Sequence, residues 1–389
     1  MKTTKDRIAA ARRAAIDVLL HNARDRADGL PRTAAWGYPE PYTRDWMLSS
    51  LGILADGNAE LKECVRRVLA ALAKNQSGHG LIPGLADDPD DLGSSDTTPL
   101  FLLGLAAYRS VTGKDTFLAA AARRALRWIE YQSPDDGALV AQQPTSDWRD
   151  EQWVLGFGLF VNAIVYSALS LHGRRDRAAV LRDAMNRFTI TAGVKHRHVH
   201  EGLVVRSKPY YSLWSYKVLS SERFDLVGNS LAVLSGIASR TRARVIVKWV
   251  EAECVSLRAR GLLTGELPPN FFPYITPDDP DWRERYARYN QPGEYHNGGV
   301  WPFAAALYVA AIVAAGMPRL AARKLDALTE VVRPAREHAV AFGFNEWFRA
   351  QDGAPRGQDW QAWSAAMYLY AAISVETNAT PFFDSVRAV

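Results

Sequence analysis

Leu61, Val65, Val68, Leu69 and Leu72 stand three or four positions apart, with charged residues between them. That spacing predicts an amphipathic helix with one buried stripe. The same period returns over Asp6–Asn22, Ala59–Gln76, Lys114–Gln132, Arg175–Phe188, Arg240–Cys254 and Leu320–Glu337. Between these segments lie others that are apolar on nearly every side and rich in small residues: Trp46–Ala55, Thr98–Val111, Trp153–Leu171, Val227–Ala238, Trp301–Ala315 and Trp363–Val375. A helix apolar all round needs neighbours on every side. No alternating run is long enough to build a sheet.

Two helix types in strict alternation predict six hairpins, each with its apolar helix inside and its amphipathic helix outside. Closed on itself, such a set is an all-α (α/α)6 barrel, and it takes up residues 1–389 as a single domain. An open solenoid also stacks helix pairs, but these repeats differ in length and sequence. Asp56-Gly57-Asn58, Thr112-Gly113 and His172-Gly173 turn tightly from apolar to amphipathic helices, whereas the returns run to 20 residues or more. Long connections in a compact domain are usually functional. The site is therefore expected on the face where the returns emerge.

Composition narrows the field. At 48% hydrophobic and 23% charged residues, the chain is neither disordered, collagenous nor a disulfide scaffold. Cys64 and Cys254 form no metal-binding spacing, which favours a reducing, cytoplasmic setting without a zinc site. Only ten of the 47 basic residues are Lys, and arginine pairs such as Arg66-Arg67 fall on helices. Solvated helix faces explain them, so no nucleic-acid partner is expected. The charged start lacks the apolar stretch of a signal peptide. Residues 300–317 carry no charge and approach the length of a membrane span. Pro318 follows at once and five similar helices accompany the segment, so a buried helix is expected and no membrane partner. His196, His198 and His200 alternate as ligands on a strand would, but only Glu201 supports them, and a solvated hairpin is the simpler reading. No metal and no cofactor is expected.

Each apolar helix is introduced by a polar and aromatic cluster: Tyr42 to Trp46, Ser95 to Thr98, Ser146 to Asp150, Arg223 to Asp225, Glu294 to Trp301, and Phe344 to Trp347. Asp45, Asp96, Asp150, Asp225, Glu294 and Glu346 place one carboxylate in each, at intervals of 51, 54, 75, 69 and 52 residues. A single Asp before a helix is most simply an N-cap. Six in phase describe an acidic cup, and the tryptophan-rich clusters line it. Twelve tryptophans are many for this length, and Trp46, Trp148, Trp153, Trp301, Trp347, Trp360 and Trp363 all fall in or beside these clusters. Carboxylates accept paired hydroxyls while indole rings cover flat C–H faces, so the expected ligand is a small carbohydrate.

Glycosidic cleavage needs a protonated and an ionised carboxyl group on either side of the bond. Asp147, Asp150 and Glu151, flanked by Trp148 and Trp153, are close enough to raise one another's pKa and supply the acid. Half a ring away lies Glu346, whose opposed placement leaves room for a water and predicts inversion, with Glu346 as base. Asp147 competes for the acid role and Glu294 for that of the base.

Residues 295–302, Tyr-His-Asn-Gly-Gly-Val-Trp-Pro, resemble a signature of the neutral/alkaline invertases, glycoside hydrolase family 100. Phe224 to Leu231 and Trp360-Gln361-Ala362-Trp363-Ser364 resemble the same family. The Asp147–Asp150 cluster followed by Asn162-Ala163 and Tyr166 is similar to the glycogen-debranching glucosidases of the six-hairpin glycosidase superfamily. The resemblance implies a glycoside hydrolase acting on a sucrose-like disaccharide or small α-glucoside, with Asp150 in Trp-Arg-Asp as general acid and Glu346 in Asn-Glu-Trp-Phe as general base. Tyr42, Arg44, Asp45, Trp46, Asp96, Asp147, Trp148, Asp225, His296, Asn297, Trp301, Trp347, Gln361 and Trp363 are the expected sugar-binding residues. Two other readings remain: a sugar epimerase or isomerase, which would need a histidine pair where only His296 and His79 are available, and a non-catalytic sugar-binding protein.

Overall fold

The computed structural model describes residues 3–24, 26–134, 138–190 and 201–388. The helices in chain order are α1 (Thr4–Arg24), α2 (Thr43–Asp56), α3 (Ala59–Lys74), α4 (Thr97–Thr112), α5 (Ala119–Tyr131), α6 (Leu159–Leu171), α7 (Arg175–Met185), α8 (Leu226–Leu234), α9 (Arg240–Ala259), α10 (Tyr286–Tyr289), α11 (Pro302–Ala314), α12 (Pro318–Val331), α13 (Ala362–Thr377) and α14 (Phe383–Arg387). All twelve expected helices are present, and α10 and α14 are short additions. His196, His198 and His200 lie outside the described residues.

Burial separates the two types as the patterning requires. In α3 the buried residues are Leu61, Cys64, Val65, Val68, Leu69 and Leu72, and Asn58 caps the helix by accepting from the N–H groups of Glu60 and Leu61. In α11 every residue from Pro302 to Val313 is buried, and Pro302 opens the first turn, where its missing N–H costs nothing. The apolar helices touch in the order α2, α4, α6, α8, α11, α13, and α13 returns to pack on α2. Each also packs on an amphipathic helix, α3, α5, α7, α9, α12 and α1 in the same order, and α4 and α13 touch α3 and α12 besides. One apolar cluster runs from Ala11 to Val386. Its tightest approach brings Gly52 of α2 against the Ala366 carbonyl of α13, where a Cβ would collide with backbone.

The turns leaving the apolar helices share a device. Gly57, Gly113, Gly173, Gly236 and Gly316 all take φ between 67° and 84°, and Asn378 follows α13 at 49°. A left-handed residue ends a helix abruptly, and Gly adopts that conformation without Cβ strain. The returns are long and irregular, with strands of two or three residues. β1 (Phe157–Gly158), β2 (Trp214–Tyr216) and β3 (Leu219–Ser221) form an antiparallel sheet in that order; β4 (Phe224–Asp225) pairs with β5 (Phe271–Phe272), and β6 (Trp347–Phe348) with β7 (Pro355–Arg356). These pairings shift some boundaries. The expected helix from Trp153 begins at Leu159, because 157–158 is committed to β2. α9 runs on past Cys254 to Ala259.

Candidate active site

Four of the long returns and the starts of α2 and α13 enclose a cavity of about 130 Å³. Its wall comprises Thr33 and Tyr38 from the α1–α2 return, Tyr42, Arg44 and Asp45 at the start of α2, and Trp148 and Asp150 from the α5–α6 return. Tyr295, His296 and Trp301 precede α11, Glu346 and Gln361 precede α13, and Trp363 opens it. Drug-sized ligands occupy roughly 300–1,000 Å³, so this space suits one small polar ring.

The aromatic floor is interlocked. Trp148 meets His296, Trp301 and Phe303 edge-on at centroid distances of 5.3, 5.4 and 5.2 Å. Trp363 stacks on Phe303 at 4.1 Å, and Tyr295 stacks on His296 at 4.0 Å. Such offset and edge contacts hold rings rigidly. Burial, reinforced by the charges of Arg149 and Arg44, holds His296 well below the ordinary histidine range, so its ring is neutral.

Two carboxyl groups differ sharply in setting. Glu346 is 5% exposed, and one carboxylate oxygen accepts from the Gln358 N–H at 3.2 Å. Burial, aided by the charges of Asp45 and Asp150 and opposed by the Gln358 N–H, lifts its carboxyl to about 8. Asp150 stands at the rim with its side chain 58% accessible, and its nearest charge is Arg44 Nη1 at 3.8 Å. Partial withdrawal from water, together with Glu151, Asp96 and Asp147, raises its carboxyl above the ordinary range against the pull of Arg44. Between them Asp45, which accepts from Gln361 Nε2 at 2.9 Å, is lifted to about 7, chiefly by burial.

Ten of the residues expected from the sequence therefore line one cavity: Asp150, Glu346, Tyr42, Arg44, Asp45, Trp148, His296, Trp301, Gln361 and Trp363. Six stand behind it. Asp96 is fully buried and holds Arg44, with Nε at 2.6 Å, so its charge is spent on the protein. Asp225 caps α8 through the Val227 N–H and forms a fully buried ion pair with Arg149. Asp147 accepts from the Arg149 N–H at 2.8 Å and from Gln142 Nε2 at 3.1 Å. Asn297 clamps the backbone of Ile275 and Asn290. Trp46 is buried in the core with its indole N–H on the Arg32 carbonyl, and Trp347 packs beside Tyr295.

Glu294, the competitor for the base, lies off the cavity near Arg349 at 3.7 Å. Trp153 is exposed, and Trp360 packs with Trp36 and His21 away from the cavity, so Trp148, Trp301 and Trp363 are the tryptophans that reach it. Thr33, Tyr38 and Tyr295 are wall residues that sequence reasoning missed. Tyr295 was within reach, being the first residue of the Tyr-His-Asn-Gly-Gly motif. No signal marks Thr33 or Tyr38 beyond an aromatic, proline-rich stretch.

Comparison with known proteins follows the same lines. Residues 174–377 match the profile of the family described as alkaline and neutral invertase. Cytosolic invertase 1 of Oryza sativa subsp. japonica is 29% identical over 160 residues, covering 40% of this chain and 26% of that protein. Probable alkaline/neutral invertase D of Arabidopsis thaliana is 28% identical over 160 residues, covering 40% of this chain and 27% of that protein. The chain thus spans about a quarter of the length of the curated relatives it matches. In fold it is similar to the GH63 mannosylglycerate hydrolase of Thermus thermophilus, solved with Tris and D-glycerate, at TM-score 0.66 and 16% identity over 92% of this chain and 99% of that one. A wild-type glycosidase is similar at TM-score 0.64 and 16% identity, over 96% and 98% of the two chains.

Proposed function

Because the chain belongs to the alkaline and neutral invertase family, we propose that it is a glycoside hydrolase acting on a sucrose-like disaccharide or small α-glucoside. In this reading the circuit of six apolar helices is the inner ring of an (α/α)6 barrel, and residues 1–389 form one catalytic domain. The buried free cysteines Cys64 and Cys254 and the cytosolic rice relative support a cytoplasmic setting. No described helix is long and apolar enough to cross a membrane.

The observation that carries the proposal is the pairing of Asp150 and Glu346 on one cavity with a rigid indole floor. The sugar ring lies on Trp148, Trp301 and Trp363, with Asp45, Arg44 and Gln361 taking its hydroxyls. Asp150, at the mouth where the leaving group emerges, gives its proton to the glycosidic oxygen as the C–O bond breaks. A water attacks the anomeric carbon from the opposite face and passes its proton to Glu346, so the anomer released is inverted. Asp147 is buried, accepting from the Arg149 N–H and the Gln142 side chain, and Glu294 lies off the cavity, which favours Asp150 and Glu346 over them. The wall holds one histidine, His296, while His79 is exposed elsewhere, and this disfavours an epimerase.

One observation favours a second assignment. Glu346 is lifted to about 8 and is therefore mostly protonated at neutral pH, as an acid would be. The first assignment needs Glu346 ionised while Asp150 keeps its proton; under the second the roles are exchanged. The purified protein is assayed on a panel of disaccharides and on α-D-glucosyl fluoride, whose leaving group needs no proton. Asp150→Asn should lose disaccharide hydrolysis but keep the fluoride, while Glu346→Gln loses both. The opposite pattern exchanges the roles, and undiminished hydrolysis in both variants ends the proposal. NMR of the first glucose released from an α-linked substrate should show the β anomer.

A further inference from the structure

We infer that Arg149 and Asp225 are positioning residues for the general acid, and the inference rests on Asp150 in that role. The difficulty they answer is plain. Asp150 sits at a turn outside any helix or strand, its side chain is 58% accessible, and the cation that pairs with it, Arg44, is 3.8 Å away. Nothing that touches its carboxyl fixes it. Proton donation nevertheless demands placement within a fraction of an ångström, and a 1 Å error can cost about 100-fold in rate.

The residues immediately before it are tied down one by one, each to a different part of the protein. Ser146 accepts from the Ser95 N–H through its carbonyl at 2.9 Å and its hydroxyl at 3.0 Å. The Asp147 carbonyl accepts from Arg44 Nη2 at 2.9 Å, and its carboxylate accepts from Gln142. Trp148 is wedged among His296, Trp301 and Phe303. Arg149 then turns inward, its guanidinium 4.4 Å from the Trp148 ring centroid, and pairs with Asp225, both side chains fully buried. Asp225 is in turn fixed by capping α8 through the Val227 N–H at 3.0 Å. The residue next to the acid is thus pinned to the start of an inner helix.

The energetics argue that this pair is not there for stability. Arg149 Nε and Nη1 have no hydrogen-bond partner among the described residues. Burying such groups is unfavourable, and buried ion pairs are often replaceable by apolar residues without loss. An apolar pair would also fill the space but would set no direction. The guanidinium, held at one end by a carboxylate and laid against an indole that three other rings already hold, fixes the backbone entering Asp150.

The test uses Arg149→Met combined with Asp225→Asn, which removes both charges without orphaning either and keeps an amide to cap α8; Arg149→Lys is the conservative companion. Hydrolysis of sucrose and maltose is compared with that of α-D-glucosyl fluoride, with Asp150→Asn and Glu346→Gln as references. The double variant should lose roughly 100-fold in kcat on the disaccharide with little change in KM, stay within a few-fold on the fluoride, and unfold at or near the wild-type denaturant midpoint. Arg149→Lys should recover part of the disaccharide rate. Equal losses on both substrates in the double variant, with Asp150→Asn still active on the fluoride, would overturn the positioning role alone. Equal losses in Asp150→Asn would overturn the assignment of the acid instead.

Discussion

Glu346 offers a test that needs no substrate. Its carboxyl is lifted from 4.5 to about 8 by burial and by Asp45 and Asp150. A group whose folded pKa exceeds its unfolded one lends stability below the unfolded value and withdraws it as pH rises through the folded value. The window here runs from about pH 4.5 to about pH 8. Across it, the cost of ionising a buried Glu346 grows to on the order of 5 kcal/mol. Glu346→Gln carries no ionisable group but can still accept the Gln358 N–H, so it escapes that cost. Urea denaturation at half-unit steps from pH 5 to 9 should show the variant gaining on the wild type up to about pH 8, by several kcal/mol, and holding that gap above it. In a chain of 389 residues that gain is a Tm difference of about 6 °C. A gap that stays constant with pH would refute the reasoning, because a fixed packing change cannot follow a titration.

Further expectations concern the frame and its ion pairs. Gly52→Ala should force α2 away from the Ala366 carbonyl of α13 and lose roughly 1–3 kcal/mol or more by denaturant titration; a wild-type midpoint would show the contact to be loose. Arg149→Met alone strands a buried carboxylate and should cost about 3–5 kcal/mol, most of it returned by adding Asp225→Asn. A double-mutant cycle without coupling would contradict this. Burial opposes the charge on Asp359, but the N–H groups of Arg336, Glu337 and His338 and the His338 ring outweigh it and hold its carboxyl below 3.8. Its stabilisation is therefore complete above 3.8 and lost as pH falls through the lower folded value. Asp359→Asn should cost roughly 2–3 kcal/mol at pH 7 and converge with the wild type in strong acid; an undiminished gap there would count against the charge.

The helices could be read from the sequence because their signal is local. A stripe such as Leu61–Leu72, or its absence in Pro302–Ala314, is fixed by what each helix must face. Helix ends were less legible where a tertiary partner intervened, as at Phe157–Gly158, which the distant Trp214–Ser215 claims for a sheet. The site divided in the same manner. That carboxylates precede the apolar helices is a sequence fact, but which ones meet an arginine from another hairpin is not. Asp96 and Asp45 carry the same local signature, yet Arg44 neutralises the first and leaves the second facing the cavity. Trp46 and Trp148 differ likewise: one points into the core and the other forms a wall. Tyr38 comes from a return whose path no periodicity predicts.

The left-handed residues that stop each apolar helix separate the turns that leave it from the long returns that lead into it. Backbone geometry alone terminates those helices, so their register owes nothing to the sequence that comes back on the far side. The returns, which carry Asp150 and Glu346, can therefore vary elsewhere along their length without moving the helices. The protein resembles a chuck that accepts interchangeable bits. Exposed positions such as 89–90 and 276–278, which lie off the cavity wall, can be varied on a fold already secured.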